Sequence, residues 1–391
     1  MDAGPLNDAK QLQAARDLAP MIRASADEID RNRELPRPLF EALADAGMFH
    51  MAVPREIGGG EIDFPIYVRV IEELGKADAS TAWAVNQGAT YATYSARIAS
   101  ASAAREIWID TPRSVVSNSP GATAKAVVVP GGYIVSGRQG FSTGCRHASW
   151  IAANTTVYEN GEVRLRDGKP EARYCVLPVA QAEILDTWHT RGMRGTGTHH
   201  FEVKDVFVPE ERTYFPRGMP ALRGGPRYKI PSGLSFAAGD AAVALAVSRS
   251  CLDAFYDLAG AKVPRYTTNL LRDQPTIQLS MGQAEAALRS GRAFLMQAVE
   301  DIWADATTME AVTVDRRVAL RLAATHAIRL AAQIVDAVYN AAGATAAFEG
   351  NLIQRHFQDI HVITQHVQGR LAHYETAGKY WLGLPLDESH L

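Results

Sequence analysis

Cysteine is scarce in this chain, with Cys145, Cys175 and Cys251 the only three in 391 residues. Their odd number and wide spacing exclude a disulfide framework and the paired zinc and redox patterns, so they read as buried, reduced thiols. An excess of charge of one sign is lacking too. Lys and Arg number 40 against 43 Asp and Glu, and the net charge of -3 offers no footprint for nucleic acid or an anionic membrane surface. No uninterrupted apolar run reaches bilayer-spanning length, and the opening Met1-Asp2-Ala3-Gly4 has neither the basic segment nor the apolar stretch of a signal peptide. Cytoplasmic location and a small-molecule partner are the expectations that follow. No Gly-x-Gly-x-x-Gly follows a strand-like run, so a nicotinamide dinucleotide site is not expected, and no tandem repeat is visible. What is present is 47% hydrophobic residues, enough for a large core shared among two or three packed units.

Along the chain the apolar period changes twice. Leu12, Ala15, Leu18, Ile22, Ala26 and Ile29 make one helical stripe, and Pro36 and Pro38 suit the start of a second helix buried through Leu39, Leu43 and Ala46. After the Gly58-Gly59-Gly60 loop, helical spacing returns from Phe64, and Ser80 stands where it can cap a helix carrying Trp83, Val85, Tyr91 and Tyr94. Beyond Pro112 short β-branched runs take over, such as Val127-Val128-Val129, Tyr133-Ile134-Val135 and Tyr174-Cys175-Val176-Leu177, and predict a mostly antiparallel sheet with an exposed hairpin tip within 159–171. Pro and Gly accumulate between Thr213 and Ser232 beside Arg217, Arg223 and Arg227, the signature of a linker or an active-site loop. From Phe236 onward, alanine-rich stretches at helical spacing predict a bundle. The expected organisation is α+β: a helical unit over 1–112, a β unit over 113–212 and a helical bundle with a leading loop over 213–391.

Four segments carry a more specific signal. They are Leu43-Ala44-Asp45-Ala46-Gly47-Met48 with Val53-Pro54 and Gly58-Gly59; Ala77-Asp78-Ala79-Ser80-Thr81-Ala82-Trp83; Gly137 through Cys145; and Arg191-Gly192-Met193-Arg194-Gly195-Thr196-Gly197-Thr198 leading into Val206-Phe207-Val208-Pro209. In that order, and across nearly the whole chain, they resemble the acyl-CoA dehydrogenase superfamily. The resemblance implies its fold, an N-terminal helical domain, a middle β-barrel-like domain and a C-terminal four-helix bundle, and implies a flavin. A strand ending in Ser142-Thr143-Gly144 offers hydroxyls and approachable backbone donors for the N5/O4 edge of an isoalloxazine. By the resemblance Ser142 stands nearest N5, Arg191 and Thr196 belong to the Gly-rich turn beside the cofactor, and Asp359 orients rather than reacts. Arg265, expected at the end of the helix that opens near Phe236, and Gln278 resemble the Arg and Gln of the family's inter-subunit nucleotide site, which implies a homotetramer.

The departure from the family decides the chemistry. Acyl-CoA dehydrogenases follow an Arg-Asp pair with a glutamate that takes the α-proton of a thioester. Here the pair is Gln358-Asp359, the corresponding neighbourhood holds His366, and no carboxylate follows until Glu375. Histidine there is similar to the flavin-dependent monooxygenase branch, the oxygenase components of two-component aromatic and sulfur hydroxylases. The implied reaction forms a C4a-hydroperoxyflavin from reduced FMN or FAD and molecular oxygen and passes oxygen to an aromatic or heteroatom substrate. A separate flavin reductase is implied as partner. His366 suits proton transfer near neutral pH, with Ser142 as the second catalytic residue. Its five-residue spacing from His361 puts the two on different helix faces, so no metal site is expected. Trp83, Tyr91 and Tyr94 are the expected substrate-binding residues, and His199 and His200 are read as surface or edge residues. Two alternatives stay open: an acyl-CoA dehydrogenase whose base is displaced to Asp240, near the expected helix start, and a non-catalytic flavin-binding protein.

Overall fold

A computed structural model describes residues 8–215, 219–388 and 391; Arg217 lies outside the described residues. Five helices open the chain: α1 (Asp8–Asn32), α2 (Arg37–Asp45), α3 (Phe64–Gly75), α4 (Ala79–Tyr91) and the short α5 (Ala101–Arg105). On α1 the predicted stripe is the buried face, with Ala15, Ile22 and Ile29 sealed from solvent. Pro36 stands at the cap of α2 and Pro38 in its first turn, as expected, because a ring locked near helical φ costs nothing there. The start of α4 differs from expectation. Asp78, not Ser80, is the cap, its Oδ1 accepting from Thr81 N at 2.7 Å, while Ser80 is buried within the helix.

The strands are β1 (Val116–Asn118), β2 (Ala124–Val129), β3 (Gly132–Ser142), β4 (Trp150–Glu159), β5 (Glu162–Val163), β6 (Leu165–Arg166), β7 (Lys169–Pro170), β8 (Ala172–Pro178), β9 (Glu183–Leu185), β10 (His199–Pro209) and β11 (Thr213–Tyr214). Nine of them form one sheet whose main path runs β11-β8-β4-β2-β3-β10-β9. Pairing is antiparallel except where β1 and β2 run parallel to β4. Because β11 pairs with β8 through Thr213 and Tyr214, the sheet unit extends past residue 212. The hairpin β6–β7 is exposed at its tip, yet Arg164 and Glu171 at its base form a bidentate pair at 2.7 and 2.9 Å, with Glu171 buried.

Five more helices complete the described chain: α6 (Ser232–Ala261), α7 (Pro275–Thr308), α8 (Val314–Ala342), α9 (Leu352–Ile363) and α10 (Ala372–Trp381). One hydrophobic core joins residues of α1, α3 and α4 to α6, α7, α8 and α9, so the two helical segments, remote in sequence, form a single packed body. The segment 314–347 is long and apolar enough by length and mean hydropathy to cross a membrane, but charged residues interrupt it and 67% of its most apolar window is buried inside the protein. A separate core of β-branched and aromatic side chains fills the sheet. Between the two lies a third cluster rich in tyrosine and tryptophan.

Candidate active site

The junction between sheet and helices leaves a cavity of about 1620 Å³. This exceeds the roughly 300–1,000 Å³ of an ordinary small-molecule pocket, enough for two ring systems side by side. On α4, Trp83, Gln87 and Tyr91 recur every fourth residue and share the face that lines the cavity. Asn86, displaced by one position, turns into the core instead. Tyr94, Tyr174 and Phe236 extend the wall into an aromatic box with ring centres 5.2 to 6.0 Å apart. Tyr91 Oη donates to Tyr174 Oη at 2.9 Å, and Tyr94 Oη pairs with Ser232 Oγ at 2.8 Å. Burial holds the Tyr91 phenol well above its usual range. The expected substrate residues therefore meet at one wall, but the Tyr91 hydroxyl is committed to its neighbour.

His366 lies opposite, just beyond the end of α9, in extended backbone before the turn Val367–Gly369. Its ring stands edge-on to Trp83 with centres 5.0 Å apart. Nδ1 lies 2.8 Å from Oδ2 of Asp240, an ion-pair contact set off the in-line hydrogen-bond direction. Asp240 is neither near the helix start nor a cap: it sits in the third turn of α6, wholly buried. Its Oδ1 accepts from Asn86 Nδ2 at 2.9 Å and Gln87 Nε2 at 3.1 Å. Burial pushes its carboxyl up, and the charge of His366 pulls it back down. Sealed behind the imidazole, Asp240 does not line the cavity and cannot reach a thioester there.

Strand alternation corrects the reading of Ser142. Phe141 and Thr143 turn into the cavity, whereas Ser142 points to the interior with Oγ 2.7 Å from Ser117 Oγ. The hydroxyls that face the cavity are Thr143, Thr196 and Thr198, linked in a row at 3.0 and 2.7 Å. Thr198 was not singled out as a site residue in the sequence, because only the pairing of β3 with β10 brings it beside Thr143. Phe141 is a non-glycine residue at φ 61 with 63% of its surface exposed on this wall. Such strain persists where surroundings over-determine it and clusters at ligand sites.

The Gly-rich turn is stitched to α9. A Cβ on Gly192 would fall 2.2 Å from the carbonyl oxygen of Gln358, so only glycine admits this approach. Asp359 Oδ1 accepts from Met193 N at 2.5 Å, holding Met193 at φ 52. Burial pushes the Asp359 carboxyl up to about 7, against about 4 in an unfolded chain. Between those values the folded state keeps a proton that the unfolded chain has released, so stability falls as pH rises from about 4 to about 7. Asp359→Asn should flatten that limb, measured as thermal midpoints across the range.

Other expected residues lie elsewhere. The Arg191 side chain is exposed and off the cavity. Arg265 lies in the loop past the end of α6, exposed, with its guanidinium over Tyr266 at 4.9 Å, and Gln278 occupies the first turn of α7, bonded to Arg272 O at 3.1 Å. Neither lines the cavity of this chain. His199 is fully buried, its Nδ1 accepting from Thr187 N and Trp188 N at 3.2 Å, because β9 covers the strand that carries it. His361 pairs with Asp336 at 3.0 Å, away from His366.

Comparison with known proteins agrees with this architecture. The models of the acyl-CoA dehydrogenase N-terminal and C-terminal domains match residues 9–109 and 238–370. An indole-3-acetate monooxygenase of Pseudomonas putida is 32% identical over 362 residues, covering 92% of this chain and 90% of the relative. The oxygenase subunit HsaA of a flavin-dependent monooxygenase of Mycobacterium tuberculosis is 28% identical, covering 97% of each chain. The crystal structure of 3-HSA hydroxylase from Rhodococcus sp. RHA1 superposes with a TM-score of 0.88 at 26% identity, covering 98% of this chain and 99% of that one. The chain belongs to the acyl-CoA dehydrogenase superfamily, in its flavin-dependent monooxygenase branch. It is an enzyme of the two-component class, an oxygenase component that uses reduced flavin and molecular oxygen and depends on a separate reductase.

Proposed function

We propose that this oxygenase hydroxylates a small planar aromatic or heteroaromatic molecule, with His366 handling the proton of the oxygen-transfer step. The observation that carries the reading is an imidazole, backed by a buried carboxylate, facing a cavity walled by Trp83, Tyr91, Tyr94, Tyr174 and Phe236. Reduced FMN or FAD, when bound, supplies the electrons that activate dioxygen. Thr143 and Thr198 would hold its polar edge and Phe141 would cover its ring, while Asp359 keeps the 191–198 turn in place. An imidazole can donate or take the proton at Nε2. The aromatic wall orients the substrate and keeps water off the reacting atoms. An Asp240-based dehydrogenase is disfavoured by the burial of that carboxylate behind His366.

The test is turnover of a panel of indoles, phenols and aromatic sulfides with chemically reduced flavin under isotope-labelled dioxygen. Label in the product supports the assignment; flavin reduction by an acyl-CoA thioester without labelled product refutes it. For the cofactor residues, Thr143→Val should weaken flavin binding about fivefold, the value of roughly one hydrogen bond. Ser142→Ala should change it less than about twofold, since that hydroxyl faces Ser117. Equal losses in both titrations would restore Ser142 to the site. A homotetramer in the cytoplasm belongs to the same proposal. Arg265 and Gln278, exposed on one chain, would there complete the nucleotide site of a neighbouring subunit, which mass photometry and flavin titration of Arg265→Ala would test.

A further inference from the structure

We propose that Asp240 is a positioning residue of this enzyme, one that fixes the His366 ring with Nδ1 inward and Nε2 toward the cavity. The proposal rests on the assignment of His366 as the proton-handling group. Three observations carry it. The carboxylate is placed with its two oxygens divided, Oδ2 on His366 Nδ1 at 2.8 Å and Oδ1 on the amides of Asn86 and Gln87 at 2.9 and 3.1 Å. Asn86 is itself oriented, because its Oδ1 accepts from Tyr67 Oη at 2.7 Å and leaves Nδ2 for Asp240. Finally, a Cβ on Gly239 would fall 1.9 Å from Asn86 Oδ1. A glycine inside a helix is unfavourable against alanine, and here it admits the side chain that meets the carboxylate.

The relay thus runs from Tyr67 on α3 through Asn86 on α4 and Asp240 on α6 to His366. At its far end, Arg227, 1% exposed, lies 4.5 Å from the ring centre of Tyr67. The other charged or titratable groups around the pair are Arg321 on α8, within electrostatic range of Asp240, Arg370 beyond the Val367–Gly369 turn, and His373 on α10, whose ring nitrogen meets Val367 O at 2.8 Å. A carboxylate at Nδ1 selects the Nδ1–H form of a neutral imidazole and supports its positive form.

The test is nitrogen NMR of the flavin-free protein carrying ¹⁵N-histidine, with His366→Gln to assign the signal. The wild-type ring is expected as the Nδ1–H tautomer. Asp240→Asn should lower its titration midpoint by about one pH unit or more, and the pH profile of product formed per dioxygen consumed should move the same way. An Nε2–H tautomer in the wild type overturns the proposal whether or not Asp240→Asn folds. So does an unmoved midpoint in folded Asp240→Asn. If His366→Gln leaves coupling intact, the proton-handling assignment fails, and the tautomer still reports separately whether Asp240 holds the ring.

Discussion

His366→Ala should lower the yield of product per dioxygen consumed by about a hundredfold, the usual worth of a positioned acid or base, with peroxide released in its place. Flavin affinity should change by less than about twofold, because the threonine row at 143, 196 and 198 is untouched. The residue lies on the cavity wall, partly exposed, with Trp83 against its ring and Asp240 behind it. Removing the imidazole also leaves the wholly buried Asp240 carboxyl without its partner at Oδ2. Because the histidine is partly exposed, the cost should fall below the roughly 3–5 kcal/mol of a fully buried pair, and the variant should be less stable as well as uncoupled. Asp240→Asn in the same chain should recover much of that stability without recovering coupling. This double-mutant cycle separates the folding role of the pair from its chemical role. Retained coupling in His366→Ala would remove the histidine from the mechanism.

Gly239→Ala should destabilise the fold by about 2 kcal/mol or more, although the same change in an unobstructed helix stabilises by about 1 kcal/mol. The reversal of sign follows from the space. The added methyl would meet Asn86 Oδ1 at 1.9 Å, Cγ at 2.4 Å and Nδ2 at 2.7 Å. Either α4 and α6 separate, opening the shared core, or Asn86 swings away and leaves Asp240 Oδ1 short of a donor. Denaturant unfolding reads the first effect. The second should appear as a shift in the pH profile of coupling toward that of Asp240→Asn. A variant as stable as the wild type would mean that the helix contact is looser than the structure has it.

Much of this molecule was legible in order along the chain. The stripe on α1, the proline start of α2, the change to β-branched runs after Pro112 and the alanine-rich final third each depend on residues within a turn or two of one another, which periodicity captures. The replacement of glutamate by His366 was equally plain, since it is a substitution within a recognisable segment. Local chemistry misled where two candidates stood close together. Asp78 and Ser80 both suit a helix cap, and only the path of the backbone selects Asp78. Ser142 and Thr143 are both hydroxyls, and a one-residue difference in strand phase decides which one meets the cavity.

The sequence by itself determined the order of helix, sheet and helix, the family, and a histidine, His366, in the segment where the resemblance expects a dehydrogenase's glutamate. The tertiary structure alone places Asp240 against that imidazole, sets Asn86 and Gln87 on Asp240, and brings Thr198 beside Thr143 at the cavity. The reason is separation along the chain. Asp240 and His366 are more than a hundred residues apart, and no periodicity or propensity acts over that distance. Only the packing of α4 against α6, at a spacing that Gly239 permits, and of the chain after α9 against both, brings these side chains together.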